Sequence, residues 1–252
     1  MLLEQKNAVI YGSGSIAGAV ARAFAAEGAN IHLAGRNEET VERLANEIRE
    51  GGGRVATAIV DALDADEVNR HADEVAGRAG GIDISFNLIG HGDVQGTPMV
   101  EMDVEDYLAP VVNGVRTLFL TSAAAARHMR KRGSGVILIF GGAGDPVKEY
   151  NLGGLQTGFE AMESMRRQLS MELGPDGIRV VTIRTGGIPE GISDEWEGKP
   201  AIEKSIDGAT MLGRAATLAD VGATAAFVAS DRARSMTAAT VNISAGALID
   251  HQ

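Results

Sequence analysis

Residues 7–35 read NAVIYGSGSIAGAVARAFAAEGANIHLAG, and the order of features in them decides the fold. A five-residue apolar run, NAVIY at 7–11, has the β-branched character of a strand buried on both faces. Glycines at 12, 14 and 18 follow, and SIAGAVARAFAAEG at 15–28 spaces its apolar residues as a helix does. A second apolar run, NIHLA at 30–34, closes the unit. Strand, glycine turn, helix and strand in this order make a β-α-β crossover, whose two strands lie parallel.

The alternation continues along the chain. Strand-like runs recur at 54–60, 82–89, 135–140, 178–183 and 240–244, with a weaker stretch after 185. Helical spacing fills 38–52, 64–80, about 104–131 and 153–174 between them. Gly28, Gly51 and Gly80 stand where helices would end in the left-handed conformation that glycine adopts cheaply. No proline-rich linker, short repeat or charge block divides the chain. The expectation is one α/β, doubly wound Rossmann domain over 1–252 with a mostly parallel sheet.

Composition excludes several classes of function. A formal charge of −11 and a pI near 4.9 oppose wrapping a nucleic-acid backbone or lying on an anionic membrane. The absence of cysteine removes disulfides, thiolate catalysis and cysteine-held metals. The five histidines, at 32, 71, 91, 128 and 251, lack ligand spacing, so no metal is expected. Neither a secretory leader nor about 20 consecutive apolar residues is recognisable, so a cytoplasmic protein is expected.

A glycine turn at the first strand–helix junction lets backbone approach a pyrophosphate at the positive end of a helix. Gly12, Ser13, Gly14, Ser15, Ile16 and Gly18 form that turn here. After the second strand, Gly35 and Arg36 stand where an acidic residue would hold a ribose diol. An arginine fork suits a 2′-phosphate, which favours NADP(H), with NAD(H) as the alternative. Asp61 and Ala62, closing the third strand, would lie beside the adenine, although Asp61 also suits the cap of the next helix.

With these features in order, the chain resembles the short-chain dehydrogenase/reductase family over nearly its whole length. The turn is similar to that family's T-G-x-x-x-G-x-G motif, with Tyr11 for threonine and Ile16 for the middle glycine. FNLIG at 86–90 resembles its N-N-A-G motif, keeping Asn87 and Gly90. VVNGVRT at 111–117 resembles the segment bearing the catalytic asparagine, which would be Asn113. Residues 173–188 resemble the approach to the P-G nicotinamide loop, with Thr185 for proline, Gly186 kept and Ile188 facing the carboxamide.

The resemblance implies an oxidoreductase with a serine, tyrosine, lysine and asparagine at the site. Aligned on Gly177, the serine, tyrosine and lysine slots fall on Gly142, Leu155 and Phe159, which leaves Asn113 alone. YNLGGLQ at 150–156 also resembles the enoyl-reductase branch, which makes Tyr150 the acid but puts Thr157 in the lysine slot. The loops at 90–98, 141–151 and 186–210 are expected around one pocket, the last as a lid. Tyr150 and His91 are candidate proton donors from those loops, beside Asn113. Three activities stay open: an atypical oxidoreductase on a small carbonyl, alcohol or enoyl substrate, a silent dinucleotide-binding sensor or partner subunit, or a non-redox lyase or cyclase. The family also implies a homodimer or homotetramer.

Overall fold

The computed structural model describes residues 1–142, 151–192, 194–195 and 197–249. Among them are seven strands: β1 (Asn7–Tyr11), β2 (Asn30–Gly35), β3 (Arg54–Ile59), β4 (Ile84–Asn87), β5 (Gly135–Gly141), β6 (Ile178–Arg184) and β7 (Ala239–Asn242). Seven α-helices alternate with them: α1 (Ser15–Ala26), α2 (Glu38–Glu50), α3 (Ala65–Ala79), α4 (Val104–Arg132), α5 (Gly154–Leu173), α6 (Lys199–Ala209) and α7 (Leu218–Ala229). The strands form one sheet in the order β3-β2-β1-β4-β5-β6-β7. Every pairing is parallel, so the sheet is wholly rather than mostly parallel.

One apolar core lies under α1, α2 and α7, built around Phe24, Leu33, Leu44 and Val221. The other lies under α3, α4 and α5, around Tyr11, Val68, Leu118 and Met129. The central strands are buried on both faces, which is why they read as continuous apolar runs. A Cβ on Gly222 of α7 would come within 2.9 Å of the Ala19 carbonyl, so this glycine sets the approach of α7 to α1.

Helix ends follow local chemistry. Asn37 caps α2 by accepting from the Thr40 N–H, and Asp64 caps α3 by accepting from Asp66 and Glu67. Gly28 and Gly80 take the left-handed conformation as expected. Gly51 does not (φ −74°); the helix runs one residue further before Gly52 (φ +80°) turns the chain. The stretch after 185 is not a strand, because Gly187 has φ +121° and Pro189 has no N–H to give a ladder. The lid at 186–210 is not all loop, since α6 occupies its second half. In α4 a window of mean hydropathy 1.2 is long enough to cross a membrane by length and composition. Here α4 instead packs on α3, α5 and the sheet.

Candidate active site

The sheet order reverses between β1 and β4, and the loops at their carboxyl ends open the crevice where ligands of such sheets bind. Gly12 has φ +120°, and a Cβ there would sit 2.4 Å from the Leu88 carbonyl oxygen. Its N–H donates to the Ala34 carbonyl at 2.7 Å, so the turn leaves β1 between β2 and β4. Gly14 and Gly90 have nothing within 4 Å of an added Cβ; both face open space. α1 starts with no side-chain cap and no acidic residue in its first turn, unlike α2 and α3. Its positive end is therefore left to an anion.

Around that turn, the Ser13 hydroxyl bonds the Thr40 hydroxyl at 2.7 Å. Ser15 is exposed, Ile16 half-buried, and Gly18 buried against Leu44. Arg36 is exposed and has no ion-pair or hydrogen-bond partner among the described residues. Asp61 does not cap α3, a role Asp64 takes. Its carboxylate accepts instead from the Leu63 N–H at 3.0 Å, in a local turn, while Ala62 is buried.

The loop after β4 is tied to α4 by a chain of side chains. Asn87 donates to the Thr117 hydroxyl at 2.9 Å, and that hydroxyl donates to the Asn113 carbonyl at 2.8 Å. Asn113 in turn donates its amide N–H to the His91 carbonyl at 3.0 Å. Asn113 thus holds the His91 loop. Burial lowers the His91 pKa below its ordinary value, with Asp93 partly opposing the shift. The ring is accordingly neutral at pH 7.

At the carboxyl ends of β5 and β6 lies a cavity of about 340 Å³. Gln95, Gly142, Leu152, Phe159 and Thr185–Ile188 line it, so the three loops expected around one pocket do meet there. Phe140, Ile202, Ile206 and Leu248 also line it; the sequence reading missed Phe140 and Leu248 and reached the two isoleucines only as part of the 186–210 segment. The four-residue spacing of Ile202 and Ile206 was the available signal, hidden in a polar segment.

Gly142 and Phe159 pack as a unit. A Cβ on Gly142 would lie 2.4 Å from the Phe159 ring, so a side chain at 142 requires that ring to move. His91 packs edge-on against the same ring, with centroids 5.7 Å apart, and does not itself line the cavity. Leu155 is half-buried one turn earlier on α5. Further along, Met162 and Leu173 enter the core. Tyr150 lies outside the described residues.

A family model described as "Enoyl-(Acyl carrier protein) reductase" matches residues 11–247. The chain belongs to the short-chain dehydrogenase/reductase family of oxidoreductases, whose members bind a nicotinamide dinucleotide. Among its relatives is an A-factor type gamma-butyrolactone 1′-reductase of Streptomyces virginiae, 29% identical, with 97% of this chain and 96% of the relative covered. A meso-2,3-butanediol dehydrogenase of Serratia marcescens is 28% identical, with 98% and 96% covered. A short-chain type dehydrogenase/reductase from Mycobacterium marinum superposes with a TM-score of 0.87 at 27% identity, covering 97% of this chain and 96% of that one.

Proposed function

We propose that this protein is a cytoplasmic oxidoreductase that uses NADP(H) on a small carbonyl, alcohol or enoyl compound, through a site without the usual serine, tyrosine and lysine. One observation carries it: the Gly12–Gly18 turn opens onto an uncapped helix end, with Arg36 exposed at the end of β2. Gly12, Ser13, Gly14 and the first turn of α1 would hold the pyrophosphate, and Arg36 the 2′-phosphate. Asp61 and Ala62 would border the adenine. When bound, the nicotinamide group supplies or accepts hydride.

The chain's own residues set the conditions around that chemistry. Asn87 and Asn113 fix the loop after β4. Gly186 and the buried Ile188 wall the cavity. Phe159 in the lysine slot leaves no ammonium there to lower an acid's pKa or hold a ribose. The proton comes from Tyr150 or water, and an acid of this kind contributes about 10²–10⁴-fold. Oligomerisation as a homodimer or homotetramer completes the proposal, with exposed Leu108, Val112 and Phe119 of α4 and Met171 of α5 as the surface to cover. Sedimentation velocity reads it directly.

Titration of the purified protein with NADPH, NADH and their oxidised forms tests the cofactor assignment. NADPH should bind at least tenfold more tightly than NADH. Failure of every form to bind at millimolar concentration sinks the proposal.

A further inference from the structure

Resting on the reading of this protein as an oxidoreductase of small carbonyl compounds, we propose that the cavity at the carboxyl ends of β5 and β6 is the substrate site and takes an uncharged, chiefly aliphatic carbonyl compound. Ile202 and Ile206 select it over hydroxylated and charged ones. The two isoleucines stand one helical turn apart on α6 and face the cavity with Ile188 and Ile192, opposite Leu152 and Phe159. A Cβ on Gly187 would lie 3.1 Å from Ile206, so a glycine at 187 gives that side chain its place.

Three charges of this segment, Lys199, Asp194 and Glu203, engage one another. Lys199 bonds the Ile192 carbonyl at 3.0 Å and Asp194 at 2.5 Å, with Glu203 at 3.7 Å. No Asp, Glu, Lys, Arg or His among the described residues lines the cavity. Among the described residues, the polar side chains lining it are those of Gln95 and Thr185. The Gln95 amide N–H donates to Asp93 at 2.6 Å, whereas the Thr185 hydroxyl has no hydrogen-bond partner among the described residues. One hydroxyl suits one carbonyl oxygen. Each further polar group brought in is stripped of water without a partner, which lowers affinity by about tenfold or more.

The test is calorimetric titration of 2-butanone, 2-hexanone and 2-octanone into the free protein and into protein with NADP⁺. Dihydroxyacetone and erythrulose serve as hydroxylated comparators, and NADPH oxidation is followed in parallel. Affinity should rise about fourfold per methylene until the cavity fills, the ratio expected for burying one CH₂. Hydroxylated ketones should bind at least tenfold more weakly than alkyl ketones of equal length. Ile206→Thr and Ile202→Thr should flatten the series, while Ile206→Met keeps it.

A flat series, equal binding of erythrulose, or a slope unmoved by the threonine variants overturns the inference. So does a lack of ketone binding to either form while NADPH binds, which leaves the cofactor assignment standing. Alkyl ketones binding to a protein that ignores NADP(H) would overturn that assignment and uphold the substrate class.

Discussion

The two halves of the crevice are held by different kinds of contact. Around β1 and α1, the glycine turn is fixed by backbone: Gly12 has φ +120° and faces a main-chain oxygen. Around β5 and α5, the Phe159 ring packs over the backbone of Gly142, each making room for the other. A constraint set by main-chain atoms admits almost no substitution. One set between side chains permits paired exchange, because volume lost at one position is filled from the other. The turn after β1 is therefore the more rigidly specified of the two sides.

Four experiments press on that contrast. Gly12→Val should cause the largest loss, about 4 kcal/mol of stability, since it adds clash to a strained dihedral; a urea melt measures it. Next comes pH. Burial pushes the His71 imidazole, which faces the Tyr11 hydroxyl, down to about 4 from 6.5. Between those values the unfolded chain takes up a proton that the folded chain refuses. Stability is thus complete above pH 6.5 and falls by about 3 kcal/mol as the pH drops to 4. Urea midpoints at pH 7 and pH 4.5 should show the fall, and His71→Leu should flatten it.

On the other side, Gly142→Ser should cost about 2 kcal/mol alone and less when combined with Phe159→Lys. A double-mutant cycle with no coupling would mean the two positions are independent after all. Smallest is Arg36→Ala. It should leave the melting temperature unchanged and weaken NADPH binding about tenfold, with NADH unaffected.

Much of this was legible before the fold was seen. Strands such as GVILIF at 135–140 are apolar on both faces, and parallel sheets demand that, so their unbroken apolar runs between helical segments placed them. The glycine turn was legible because its position between strand and helix carries the meaning. α6 was not, since Lys199, Glu203 and Asp207 mask an isoleucine pair that only the cavity explains. Nor was the pairing of Gly142 with Phe159 visible: each residue reads as a deletion by itself, and only their contact makes them one feature. Asn113 was read as catalytic from its motif, while its bond to the His91 carbonyl adds a holding role.

The sheet order has a kinetic consequence. From β4 outward, strands join in the order in which they occur in the chain, and β1, β2 and β3 likewise close on near neighbours. The pairing of β1 with β4 is different: Ala8 must find Ile84, across two intervening strands and three helices. Long loops closed late are the slow steps of folding. This one joins two locally assembled halves where Gly12 meets the Leu88 carbonyl, so the turn meant for a dinucleotide is completed only as the molecule zips shut.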